Sequence, residues 1–409
     1  MRHVRTEHLV ALLLSIGVAL SARGGPALAS TRSNCSLNGP SQALFVGMST
    51  SLSGPVRAVG EAMMTGVQAY FASVNRSGGV DGRRLCLIAL DDSYDPPTAA
   101  ANTRELVANR KILAILGAVG TPTAKVSLPI ATAGKMLYFG ALSGSSILRT
   151  TPPNPYVINF RASYDQEITA MVNGLLSIGI KPDEIAVFAQ NDAYGDAGYQ
   201  GTVKALAAHG DKAAAKTLRG NYTRNTMAVE DALITLIESP VPPKAIIMVG
   251  AYAPSAKFIR LARKVFRAPL LLNLSFVNGT ALRQALGSDA EGTIVTQVVP
   301  PIISKLPAIG AYRRALAEFA PRRRPNDISL EGYLVARIFV AGLRRAGPHP
   351  SRQNITGALL GLHNLDIGMG VKVNFGPNNR QASLKVWPTI IHNGIFTPLK
   401  WDSLAVNSR

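Results

Sequence analysis

Three short stretches of this chain concentrate hydroxyl groups and glycines where an apolar run ends: Ser49-Thr50-Ser51-Leu52-Ser53-Gly54-Pro55, Gly117-Ala118-Val119-Gly120-Thr121-Pro122-Thr123 and Gly140-Ala141-Leu142-Ser143-Gly144-Ser145. Each offers hydroxyls and backbone N–H groups at the entry to a helical segment, where a helix N-terminus attracts carboxylates and other polar groups. One such loop reads as ordinary capping; three in one half of the chain point to a binding site. Motifs for covalent chemistry are missing. The sequence holds no Gly-x-x-x-x-Gly-Lys-Ser/Thr loop, no Gly-x-Ser-x-Gly elbow and no His-Glu-x-x-His. His209, His349, His363 and His392 are far apart, none at metal-ligand spacing with another. Asp91-Asp92 with Asp95 is a tight set of carboxylates, but Pro96-Pro97 follow and no fourth oxygen is placed as a calcium loop requires. The pattern predicts a protein that binds without catalysis, cofactor or metal.

Such loops need strands behind them. Short β-branched runs predict strands at 44–49, 85–90, 112–116, 136–139, 185–189, 245–249, 269–273 and 293–297. Helical segments lie between them. Val59, Met63, Val67, Tyr70, Phe71 and Val74 recur at steps of three and four and end at Gly78-Gly79. Ser163 with Gln166 three residues on forms a capping-box pattern ahead of Ile168, Met171, Val172, Leu175 and Leu176. Buried strands alternating with helices mean open parallel sheets, and the strand count suits two of them. A closed β/α barrel is the main alternative, but it does not accommodate a helix at 330–345 followed by strands at 371–375 and 385–392. In open parallel sheets ligands sit beyond the carboxyl ends of the strands, where the hydroxyl-rich loops lie.

Residues 1–29 combine Arg2 and Arg5, an apolar run over 9–20, and Ala27-Leu28-Ala29. That is the make-up of a secretory leader cleaved after Ala29, and it predicts a periplasmic or extracellular protein. The run is shorter than the roughly 20 residues that span a bilayer. In an oxidising compartment Cys35 and Cys86 would pair, tying the mature N-terminus to a sheet edge; two free thiols are the alternative. Of the net charge of +19, Arg2, Arg5, Arg23 and Glu7 account for two, leaving +17 on the mature chain. The basic residues are spread out. Their one tight run, Arg322-Arg323-Arg324, has no interleaved aromatics and reads as a solvated loop, and no nucleic-acid partner is expected.

Several segments carry a family resemblance in the right order across about 43–400. They are Phe45-Val46-Gly47…Leu52-Ser53-Gly54-Pro55; Asn75-x-x-Gly78-Gly79-Val80-x-Gly82 followed by Asp91-Asp92-x-x-Asp95-Pro96; Gln190-Asn191-Asp192-Ala193-Tyr194-Gly195; Gly250-Ala251-Tyr252-Ala253-Pro254; and Leu330-Glu331-Gly332-Tyr333. Together they resemble the solute-binding proteins of branched-chain amino-acid ABC transporters, the Leu/Ile/Val-binding family with the type I periplasmic-binding fold. The resemblance implies two doubly wound α/β lobes joined by three crossover segments: 43–162 plus 298–370, and 163–297 plus 371–400, with 401–409 as a tail. It implies a small-molecule ligand between the lobes, ABC permease subunits as partners and a monomeric protein.

It also implies a site. Thr121, Thr123, Ala141 through its backbone and Ser143 would hold the ligand's carboxylate and part of its ammonium, while Tyr194 and Tyr252 would cover it. For Tyr252, packing within the lobe is the competing role. In the family's amino-acid binders a second-lobe acidic residue pairs the ammonium, yet the matching stretch here, Asn273-Leu274-Ser275-Phe276-Val277-Asn278, has none. Ser275 takes that place, and Asp165 is a substitute unless it caps a helix. The ligand is therefore left open among amino acids, amides, and organic or aromatic acids. A ligand-sensing receptor that signals to a partner protein is the alternative to a transport role.

Overall fold

A computed structural model describes Cys35 and residues 43–405. The expected leader and its cleavage site after Ala29 lie outside the described residues, as do the last four residues of the expected tail. The first sheet contains β1 (Leu44–Thr50), β2 (Leu85–Asp91), β3 (Ile112–Leu116), β4 (Leu137–Phe139) and β5 (Val157–Ile158), ordered β2-β1-β3-β4-β5 and parallel throughout. All seven residues of β1 are buried, which its continuous apolar run requires of a strand covered on both faces. The covering helices are α1 (Arg57–Arg76), α2 (Pro96–Ala108) and α3 (Thr121–Ala133).

The chain then crosses to a second sheet through α4 (Tyr164–Ser177), which opens on the expected capping box of Ser163 and Gln166. Here β6 (Ile185–Gln190), β7 (Leu218–Tyr222), β8 (Ala245–Val249), β9 (Leu270–Asn273) and β10 (Ile294–Gln297) run parallel, wrapped by α5 (Ala193–Ala208), α6 (Glu230–Ile237), α7 (Tyr252–Val265) and α8 (Gly279–Leu286). The chain returns to the first lobe as α9 (Pro307–Phe319), α10 (Asp327–Ala346) and α11 (Arg352–Leu360). Helices α1 and α10 touch backbone to backbone. A Cβ on Gly66 would lie 1.9 Å from the Ser329 carbonyl oxygen, and one on Gly332 would lie 2.3 Å from that of Met63, so only glycine permits this crossing.

The end of the chain differs from expectation. The strand expected over 371–375 is only β12 (Lys372–Val373), paired with β11 (Leu365–Asp366) and not with the second sheet. Phe375 packs edge-on against Phe139 of the first sheet. Farther on, Gln381 pairs with Asn159 of the first crossover. Then β13 (Trp387–His392) extends the second sheet antiparallel to β10, and β14 (Ile395–Pro398) adds to it antiparallel to β13. The tail is docked: Trp401 lies on Gly174 of α4, where a Cβ would come within 1.9 Å of its ring. Cys35 and Cys86 form a disulfide with Cα atoms 5.6 Å apart, on edge strand β2. Closing its 51-residue loop removes about 4 kcal/mol of unfolded-chain entropy in the loop-closure picture. Among the described residues no helix is long and apolar enough to cross a membrane.

Candidate functional site

Loops at the carboxyl ends of the strands from both sheets meet between the lobes. The Gln190 side-chain amide donates to Tyr94 Oη at 3.2 Å, Asn225 Nδ2 to the Ser93 carbonyl at 3.2 Å, and Asn278 Nδ2 to the Ala58 carbonyl at 3.2 Å. The rings of Tyr94 and Phe276 face each other across the same seam with centroids 5.8 Å apart. The lobes are therefore in contact.

Thr121 and Ser143 are fully buried, and their hydroxyls bond to each other at 2.8 Å. Thr121 opens α3, and the residue before it, Gly120, offers that helix no side-chain cap. First-turn N–H groups and two hydroxyls thus share one polar spot, suited to a ligand with acceptor oxygens. Thr123 faces elsewhere. Its hydroxyl donates to the Val119 and Gly120 carbonyls and closes its own loop. Ala141 is buried in the apolar layer beneath, and its carbonyl accepts from the Ser143 N–H at 2.8 Å.

The tyrosines divide as well. Tyr194 is fully buried, its ring 5.3 Å from that of Tyr164 and 4.7 Å from Phe276. Among the described residues the Tyr194 hydroxyl has no hydrogen-bond partner, and that of Tyr164 approaches Thr121 without a well-formed bond. Tyr252 is half-buried at the rim, its hydroxyl approaching the backbone of Ala58 in α1 without a well-formed bond. It joins the lobes there while also packing in the second-lobe core.

Asp165 requires correction. The cap of α4 is Ser163, and Asp165 turns outward to pair with Lys204 at 2.8 Å. It is neither a helix cap nor a member of the interior cluster. The carboxylate that reaches the second-lobe loop is Glu167, one helical face away. It accepts from the Ser275 N–H at 2.8 Å, from Ser275 Oγ at 2.9 Å and from Thr296 Oγ1 at 2.6 Å. Ser275 Oγ in turn accepts from Arg161 Nη2.

Arg161 and Glu331 complete the cluster, and neither is marked by a motif of site chemistry. Arg161 lies on the first crossover with no exposed surface, 3.8 Å from Glu167 and 3.6 Å from Glu331 of α10. Among the described residues its Nε and Nη1 have no hydrogen-bond acceptor, and Glu331 Oε1 has no donor. Burial favours the uncharged arginine, but Glu331 and Glu167 outweigh it and hold the guanidinium charged. Burial also pushes the Glu167 and Glu331 carboxyls up, the latter to about 7. The available signal was a lone arginine inside the apolar run Val157-Ile158-Asn159-Phe160-Arg161-Ala162, which demands a buried partner. Arg149 supports the loop from below, donating to the carbonyls of Ser143, Ser145 and Arg161 and to Gln381. Among the described residues no three His, Cys, Asp or Glu side chains are grouped to hold a metal ion.

Known proteins resemble this chain in sequence and fold. The sequence profile of the periplasmic binding protein family matches residues 43–394. The Leu/Ile/Val-binding protein BraC3 of Rhizobium johnstonii is 24% identical over 369 residues, covering 88% of this chain and 92% of that protein. A crystal structure of a possible leucine/isoleucine/valine-binding protein from Rhodopirellula baltica is 42% identical, with a TM-score of 0.86, covering 90% of this chain and 99% of that one. A branched-chain amino-acid ABC transporter protein from Thermus thermophilus, solved with bound valine, has the same fold at 18% identity and a TM-score of 0.77, covering 88% and 96% of the two chains.

Proposed function

The chain belongs to the periplasmic binding protein family, and from that premise we propose that it is the solute-capturing component of an ABC importer. It closes two lobes on a small polar organic molecule and hands that molecule to membrane permease subunits. The family consists of binding proteins rather than enzymes. A leader cleaved after Ala29 would export the protein to the periplasm, where it works as a monomer. Lobe one comprises 43–162 and 298–380, and lobe two comprises 163–297 and 381–400. The moved boundary rests on the pairing of Asn159 with Gln381.

The buried hydroxyl pair of Thr121 and Ser143, approached by Tyr164 with Tyr194 packed behind it, carries this reading. The tyrosine hydroxyls, buried there and short of partners among the described residues, cost stability unless something else uses them. A ligand held from both lobes selects the closed form, because only there do both sets of contacts exist.

A thermal-shift panel of leucine, valine, benzamide, benzoate and 4-methylpentanoate tests the proposal. A true ligand at about 100 times its Kd adds roughly 2.7 kcal/mol of stability, and it should reduce the radius of gyration measured by X-ray scattering. Thr121→Ala and Ser143→Ala should each weaken that ligand about tenfold, the worth of one buried hydrogen bond. Full affinity in both variants would remove these loops from the site.

A further inference from the structure

Arg161 is wholly buried, yet only one of its three nitrogens makes a hydrogen bond among the described residues, through Nη2 to Ser275 Oγ. Neither flanking glutamate closes on the fork: Glu331 lies 3.6 Å from Nε and Glu167 3.8 Å from Nη2, both beyond hydrogen-bond reach. A guanidinium carries five N–H donors in a planar fork that matches a carboxylate. Leaving part of that fork empty in a dry interior is costly, and a core ion pair selected for stability alone would close it onto Glu331 or Glu167.

The neighbours sharpen the point. Glu167 is already engaged by Ser275 and Thr296. The polar atoms left over near Arg161 are its own Nε and Nη1, the hydroxyls of Tyr164 and Tyr194, and two carboxylate oxygens, Glu331 Oε1 and Asp327 Oδ2, the latter on a carboxylate that backbone N–H groups already engage. Glu331 Oε1 is the nearest carboxylate oxygen free to accept, but it lies 3.6 Å from Arg161 Nε. An ammonium seated on it would stand beside a guanidinium. Burial also favours a proton on Glu331, which weakens it further as a cation site.

We propose that Arg161 is a specificity-determining residue that binds an anionic group of the solute, and that the preferred ligand is a carboxylic acid without an α-ammonium. This rests on the reading of the interlobe seam as the ligand site. Arg161 enters from the crossover and touches groups of both lobes, Glu331 and Ser275, so an anion bound there is contacted only when the lobes are together.

The test uses the mature protein and calorimetry with matched solutes that differ in one group: leucine against 4-methylpentanoate and 4-methylpentanamide, and phenylalanine against 3-phenylpropanoate and 3-phenylpropanamide. The carboxylate without the ammonium should bind at least about tenfold tighter than its amino acid or amide, as charge-assisted hydrogen bonds dictate. Arg161→Lys keeps the charge but loses the fork. It should erase most of that preference for carboxylate over amide, a readout that a purely structural arginine would not move. Asp165→Asn, a neutral substitution at an exposed position paired with Lys204 outside the cluster, should keep the preference and serve as the control. Tighter binding of the amino acids would overturn the inference while leaving solute capture intact, as would a preference unchanged in Arg161→Lys. If no member of the panel binds or compacts the protein, the reading of the seam as a solute site fails and the inference falls with it.

Discussion

Two clusters of carboxylates lie near the lobe interface, and they are built on opposite principles. After β2, Asp91 accepts from the N–H groups of Leu52, Ser53 and Ser93 at 2.8, 3.2 and 2.9 Å. Asp92 accepts from Ser49 Oγ at 2.7 Å and the Tyr94 N–H at 2.9 Å, and Asp95 caps α2 through Thr98. These bonds fold the loop so that Tyr94, in the left-handed region at φ 59°, turns its ring toward the second lobe. The other cluster, Arg161 with Glu167 and Glu331, has its charges paired at a distance but its donors unfilled. The first cluster is closed and shapes the seam. The second is open and faces whatever enters it.

Removing the central charge of the open cluster should break this comparison most sharply. Arg161→Met leaves Glu167 and Glu331 buried without a cation and should cost about 3–5 kcal/mol, read from urea denaturation. A loss below about 1 kcal/mol would mean that the glutamates are held neutral and that the arginine has no role in stability.

A smaller effect distinguishes the clusters by pH. Burial, against the Ser49 and Tyr94 hydrogen bonds and aided by nearby Asp91 and Asp95, pushes the Asp92 carboxyl up to about 7. Its folded value stands above its unfolded one, so the folded state binds the extra proton. The stability from this group is complete below about pH 4 and is lost as pH rises through 7. Glu331 contributes in the same direction, raised to about 7 chiefly by burial. Melting temperatures taken from pH 5 to pH 8 should therefore fall, and Asp92→Asn should flatten the slope, with Glu331→Gln flattening it further; Asp327, pushed up to about 6 by burial, contributes in the same direction. Unchanged slopes in both variants would show that neither carboxyl carries a proton in the folded protein.

The smallest effect is expected at Asp165, which exposes 38% of its side chain beside Lys204. Asp165→Asn should change stability by less than about 0.5 kcal/mol and leave ligand affinity untouched, because exposed pairs contribute little. A tenfold loss of affinity would bring Asp165 back into the open cluster and undo the distinction.

The chain by itself determined what depends on neighbours in sequence. Continuous apolar runs marked β1 to β4 of the first sheet but not the two-residue β5, Ser163 and Gln166 marked the start of α4, and Gly120 and Thr121 marked the opening of α3. Strand β7, Leu218-Arg219-Gly220-Asn221-Tyr222, escaped because it is an edge strand whose polar residues face solvent. Asp165 and Glu167 show where local pattern stops. They stand about 200° apart around α4, at 100° per residue, and the face set by Ile168, Met171, Val172 and Leu175 lies nearer Asp165. Periodicity therefore favours the wrong residue for burial. The first turn of α4 emerges from the crossover with the second-lobe loop at Ser275 on one side and Lys204 of α5 on the other. Contacts 108 residues away in sequence turned Glu167 inward, and the pairing 39 residues away held Asp165 in water. Only the tertiary structure decided that, because a side chain's burial at a helix end is set by what the fold places against it.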